Sequence, residues 1–192
     1  MTVRGPLELA CEIARLLDDL DVPYALGGSL ASSLVGEPRS TVDVDIAAGL
    51  DAATARALVE RLDASFYVPS EAIDRAVEAA TSFNVVDVDS ALKVDLFVTG
   101  AGLLDRRQLE RRRAVELPGT DERIWVTSTE DQVLRKLDWY RQTDAISDRQ
   151  WRDVLGLLSV NVGSLDLAYL RSTAAQVGLE VLLEEALDEA EA

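Results

Sequence analysis

The chain contains no histidine and only one cysteine, Cys11. Without histidine, Ser–His–Asp and Cys–His catalysis, histidine-ligated zinc and histidine general bases are all excluded. A single cysteine excludes an intrachain disulfide and any cysteine cluster. Cys11 falls in an apolar helical pattern and reads as core filling. No stretch approaches the ~18 apolar residues of a membrane span, and no basic region followed by a long apolar run opens the sequence. The expectation is a cytoplasmic protein with no membrane association, which suits the scarcity of cysteine. Basic residues are also few. Lys and Arg number 19 against 35 Asp and Glu, a formal net charge of −16. Affinity for nucleic acid comes mainly from Lys and Arg releasing counterions, so non-specific RNA binding is disfavoured. An RNA partner would need a local basic surface; the alternative is a small, metal-complexed nucleotide.

What the chain does have is apolar substance. Hydrophobic residues make up 48% of its 192 residues, enough for one substantial domain with a sizeable core. Residues 6–20 repeat Leu7, Ala10, Ile13, Ala14, Leu17 and Leu20 at helical spacing. Residues 22–26 read as a short buried strand that Gly27 and Gly28 end, and a short helix of small residues follows from Ser29. The segment 36–40 should turn. Strands are expected at 41–48, 65–68, 82–90 and 91–98, with a tight turn near Asp89 and Ser90, and helices at about 51–63 and from a Ser70 cap to about 80. Residues 105–113 form a basic helix or loop, and 114–127 a hairpin turning at Pro118 and Gly119. From Ser128 the pattern becomes helical: about 129–142, 147–159, 165–177 and 178–190, with Ser128-x-x-Asp131 or Thr129-x-x-Gln132 as the start signal. We therefore expect an α+β fold, with a mixed β-sheet flanked by helices over 1–127 and a helical region over 128–192.

Aspartate is a poor strand former. Two of them, Asp43 and Asp45, nevertheless share one face of the alternating segment TVDVDIAA, opposite Val42, Val44 and Ile46. Such a local violation marks a candidate site. A third, Asp95, interrupts the apolar strand ALKVDLFV. If that strand pairs beside 41–48, three carboxylates converge, and their hard oxygens suit Mg2+ or Mn2+ together with triphosphate oxygens. A solvated strand face is the competing reading; the third strand aspartate and the upstream Gly–Gly–Ser count against it. Asp87 and Asp89 form a second pair that reads as ordinary surface.

Gly27-Gly28-Ser29 lies between a strand and a helix. Glycine lets backbone N–H groups approach a phosphate, and a helix start favours negative charge. Ser29 adds a hydroxyl. Arg39 and Thr41 are further candidate nucleotide contacts, with ordering of the turn and of the strand start as their alternative.

Taken together, GGSLASSLVGEPRSTVDVDI (27–46) resembles the signature of the nucleotidyltransferase superfamily typified by DNA polymerase beta, and is most similar to bacterial AbiEii-type toxin nucleotidyltransferases. LKVDLFV, with Lys93 and Asp95, is similar to the family's third-acid strand. STEDQVLRKLDWY (128–140) and SDRQWRDVLGLL (147–158) resemble its helical end. The resemblance implies the nucleotidyltransferase fold, with Asp43 and Asp45 binding both metals and Asp95 completing the second site and helping to activate the acceptor. It implies Gly28 and Ser29 on the triphosphate, Lys136 reaching the phosphates, and Asp153 with Arg149 and Arg152 lining the far wall of the cleft. From the residues alone, Lys136 is equally a solvated lysine with a buried stem, and Asp153 equally a partner of Arg149 at i, i+4.

The expected activity is metal-dependent transfer of a nucleoside monophosphate from an NTP to an RNA such as tRNA, a protein or a small molecule. The alternatives are a non-catalytic nucleotide or metal sensor on the same fold, or the toxin half of a toxin–antitoxin pair meeting a basic antitoxin. The arginine run 106, 107, 111, 112 and 113 is the one concentrated basic patch, as a solvated helix face or an RNA contact. Trp125, Trp139 and Trp151 read as core or interface residues rather than base-stacking platforms.

Overall fold

The computed structural model describes residues 4–35, 41–62, 64–117, 119, 122–142 and 148–191. Its contacts divide the chain into two compact units. The first comprises Met1–Ala31 and Arg39–Thr127, the second Ser32–Pro38 and Ser128–Ala192.

The first unit is built on a mixed sheet. Helix α1 (Pro6–Asp18) starts with proline, whose missing N–H is no loss there, and buries Leu9, Ala10, Cys11, Ile13, Ala14 and Leu17 along one side. Burial raises the Cys11 thiol above its ordinary pKa, as expected of a core thiol. Strand β1 (Tyr24–Leu26) is wholly buried. Helix α2 (Gly28–Val35) leads back to β2 (Asp43–Ala48), and α3 (Ala52–Arg61), β3 (Phe66–Tyr67) and α4 (Ser70–Ala79) follow. The N-cap of α4 falls on Pro69, so Ser70 is the first helical residue rather than the cap. The hairpin β4 (Ser82–Asp87) and β5 (Lys93–Val98) turns through Asp89–Ser90 as expected, and α5 (Leu103–Glu110), β6 (Arg113–Glu116) and β7 (Arg123–Val126) complete the unit. The strand order is β3-β4-β5-β2-β1-β7-β6. β2 pairs with β5, and β1 with β7, in parallel; the other neighbours are antiparallel.

One face of the sheet is core: Val44, Ile46, Val94, Leu96, Val98, Phe83 and Val85 are buried on it. The alternation of β4 carries Asp87 onto this same face, where it is 1% exposed, so it is not the surface residue its sequence context suggests. Its carboxylate accepts a hydrogen bond from Ser90 Oγ at 2.5 Å and lies 3.4 Å from the Arg4 guanidinium, which itself sits over the Phe66 ring. A carboxylate so buried needs such partners. Val42, expected on the core face, lies ahead of β2 and is exposed.

The second unit contains four helices among the described residues: α6 (Thr129–Gln142), α7 (Asp148–Val160), α8 (Leu167–Val177) and α9 (Glu180–Glu191). Ser128 is the residue that caps α6. Its Oγ accepts from the Asp131 amide, the N-cap half of the Ser-x-x-Asp start signal, and donates to the Asp131 carboxylate at 2.6 Å. Val133, Leu134 and Leu137 are buried, and so are Glu130, Asp131, Gln132, Lys136 and Asp138. Each of the acidic residues is hydrogen-bonded. Glu130 accepts from the Asp166 amide, Asp131 from Tyr169 Oη, and Asp138 from Arg141 and Gln142. No helix among the described residues is long and apolar enough to cross a membrane.

Candidate active site

The parallel pairing of β2 with β5 sets Asp45 directly opposite Asp95 and Asp43 directly opposite Lys93. Opposed residues point to the same side of a sheet, and neighbouring strands run about 4.8 Å apart. Three carboxylates and one ammonium therefore share a single patch on the face away from the core. On the other side of β5, Asn84 of β4 stands opposite Asp95 and extends the row. Nothing in the sequence pointed to Asn84; only the register of the β4–β5 hairpin could have found it. The expectation that the Asp95 strand lies beside the Asp43–Asp45 strand holds.

The glycine turn closes the row on its other side. The Gly27 amide donates to the Asp45 carbonyl at 2.8 Å, extending the β1–β2 pairing by one bond. Gly28 then adopts φ +62°, a left-handed conformation that glycine takes without strain, and α2 starts there. The turn presses against the Asp45 side chain. A Cβ on Gly28 would lie 1.8 Å from Asp45 Oδ2 and 2.8 Å from its Cγ. Ser29 follows, nearly buried, in the first turn of the helix. Thr41 Oγ1 accepts from the Asp43 amide at 3.3 Å, so in this structure it orders the start of β2. Arg39 lies outside the described residues.

Lys93 is the residue whose part the sequence undersold. Its Nζ lies 2.9 Å from Asp95 Oδ2 and 3.3 Å from Oδ1. The hydrogen bond to Asp95 holds the ammonium above its ordinary pKa, and the negative fields of Asp95, Asp43 and Asp45 add to that against partial desolvation. Hard carboxylate oxygens, here beside a glycine turn, are the donor type that Mg2+ and Mn2+ take. The three carboxylates share the patch without being gathered into a ready ligand cluster among the described residues. The cation standing on Asp95 is Lys93.

Lys136, Arg149 and Asp153 belong to the helical unit. Lys136 Nζ is 2.9 Å from Asp153 Oδ2, and both side chains are buried, at 6% and 8% exposure. Lys136 is thus buried rather than a solvated lysine, and it pairs with Asp153. Arg149 is exposed in the first turn of α7, and Arg152 Nε donates to the Asp148 carbonyl. The three tryptophans are all half-buried. Trp125 lies beneath the Arg112 guanidinium, and Trp151 stacks near Tyr140 and donates to Glu189.

This mixed sheet, with its aspartate strands and glycine turn and its helices, has the nucleotidyltransferase fold. The chain is similar in structure to an antigenic nucleotidyltransferase-like protein from Paracoccidioides brasiliensis, with a TM-score of 0.57 at 18% identity over 96% of this chain and 92% of that one. It is also similar to the antibiotic-resistance factor ANT(2'')-Ia, with a TM-score of 0.51 at 16% identity over 92% and 94% of the two chains. The same factor in complex with adenylyl-2''-tobramycin gives 0.50 at 14% identity over 88% and 95%. At these identities the likeness is one of fold. Neither the family models nor the curated proteins match the chain in sequence.

Proposed function

We propose that this chain is a metal-dependent nucleotidyltransferase that joins a nucleoside monophosphate from an NTP to an acceptor hydroxyl and releases pyrophosphate. The observation that carries this reading is the register of β2 against β5, which aligns Asp45 with Asp95 on the face that Gly28 adjoins. Asp43 and Asp45, with Asp95 as the third ligand, would hold Mg2+ or Mn2+, which when bound would supply charge neutralisation at the α-phosphate. Gly28 and Ser29 offer the start of α2 to the outer phosphates. The acceptor oxygen forms a bond to the α-phosphorus as the bond to the bridging oxygen breaks. Pyrophosphate leaves with that electron pair, and Asp95 helps to activate the acceptor by taking the hydroxyl proton.

The sequence resemblance to AbiEii-type toxins favours an RNA 3′ end or a protein hydroxyl as acceptor, with an antitoxin as partner. ANT(2'')-Ia, whose complex holds adenylylated tobramycin, adds a small-molecule hydroxyl as a third class. Incubation with each α-labelled NTP, Mg2+ and separate pools of RNA, protein and small molecules, read by mass spectrometry, names donor and acceptor together. Asp43→Ala should fold normally and lose turnover by a factor of about a thousand or more, as loss of a principal electrostatic contributor does. Turnover at the wild-type level in that variant would remove the mechanism. Nucleotide binding without pyrophosphate release, whatever the acceptor, would favour a sensor.

A further inference from the structure

We propose that Lys93 is a built-in counter-ion that competes with the divalent cation for Asp95 and so sets the metal concentration at which the site loads. The inference rests on the reading of Asp43, Asp45 and Asp95 as metal ligands. Three observations support it. Strand register puts Lys93 on the face of the aspartates: it lies two residues before Asp95 on the same face of β5 and directly opposite Asp43. Its ammonium spans both oxygens of Asp95, at 2.9 and 3.3 Å, the same atoms that a cation would take. Its side chain remains 46% exposed while that of Asp95 is 19% exposed, so the ammonium can leave for water without disturbing the core.

The physical consequence follows from charge. Three carboxylates on one sheet face repel one another, and a single ammonium offsets part of that repulsion. A divalent ion does the same with twice the charge, but reaches both oxygens of Asp95 only by displacing Lys93. Once displaced, the ammonium of Lys93, on a side chain 46% exposed, has water to turn to. Loading is then an exchange of one cation for another rather than a simple addition.

The test is direct binding of Mn2+, without nucleotide or turnover, followed by calorimetry or by the electron paramagnetic resonance of free Mn2+ on the whole chain. Lys93→Met keeps the stem and removes the charge, while Lys93→Arg keeps the charge. The expected result is that Lys93→Met binds Mn2+ roughly five-fold more tightly, the factor a half-exposed ion pair of this kind can withhold. Lys93→Arg should stay near wild type. Asp45→Asn should bind weakly whichever residue stands at 93. If the wild type binds Mn2+ through Asp45 and Lys93→Met leaves that affinity unchanged or weakens it, the competition is overturned and the metal site stands. If neither the wild type nor Lys93→Met binds Mn2+, both fall.

Discussion

Gly27 and Gly28 are adjacent in sequence, yet substitution should treat them differently. A Cβ on Gly27 would meet the Asp45 carbonyl oxygen at 3.8 Å, an ordinary contact, whereas on Gly28 it would meet Asp45 Oδ2 at 1.8 Å, in a backbone with φ +62°. Left-handed backbone costs a non-glycine residue about 1–3 kcal/mol. The steric conflict adds to that, or is relieved by turning Asp45 away. Gly28→Ala should therefore lower the melting temperature and abolish nucleotide turnover, while Gly27→Ala should nearly retain both. Thermal melts and pyrophosphate release measured side by side decide it; equal effects at the two positions would mean that the turn is not what holds Asp45. This asymmetry was invisible in the sequence, which shows two equivalent glycines before a serine. The aspartates were legible, because an acidic residue at alternate positions of an apolar strand breaks a compositional rule that can be read without coordinates. Asp87 breaks the same rule yet is buried, because whether a strand aspartate faces core or solvent depends on which side of the sheet the chain covers.

At the scale of elements, α6 and α7 are joined by the buried pair of Lys136 and Asp153, 2.9 Å apart. Removing one partner from such a pair leaves a charge stranded in the interior, which typically costs about 3–5 kcal/mol, whereas replacing both with apolar residues of similar size is often neutral. Lys136→Met alone should therefore destabilise the helical unit strongly. Lys136→Met with Asp153→Leu should recover most of the loss in urea unfolding. A single variant as stable as the wild type would show the pair to be idle. Periodicity located α6 and α7 to within a residue or so at each end, because Val133, Leu134 and Leu137 repeat at helical spacing and Ser128 supplies a cap. It could not foresee that α6 also buries five polar residues. That depends on partners distant in sequence, such as Asp166 and Tyr169, and no local pattern encodes them. The pairing of β2 with β5, across two helices and two strands, could be reached from the shared aspartates alone; the remaining strand order carries no such mark and escaped the sequence.

For the whole molecule, a net charge of −16 constrains any macromolecular acceptor. The arginines of the one concentrated basic segment already have interactions. Arg106 donates to the Ala101 carbonyl, Arg107 pairs with Glu110, and Arg112 donates to the Leu109 carbonyl while lying over the Trp125 ring. Arg111 and Arg113 have interactions of their own as well. A polyanion approaching this chain thus meets a net negative charge, and at this segment cations that already have interactions. Each phosphate neutralised by a protein cation steepens the logarithmic dependence of binding on salt by about 0.7 for a single strand and 0.9 for a duplex. If an RNA is the acceptor, its binding should show a slope no steeper than about −2, as expected for one or two phosphate contacts. Recognition would then fall on the 3′ terminal nucleotide rather than on the backbone. Titration of a labelled RNA over a range of KCl concentrations at fixed Mg2+ measures the slope. A value near −5 would mean that the arginines of 106–113 release their present partners to take up phosphates, and that the acidic balance of the chain does not govern its choice of acceptor.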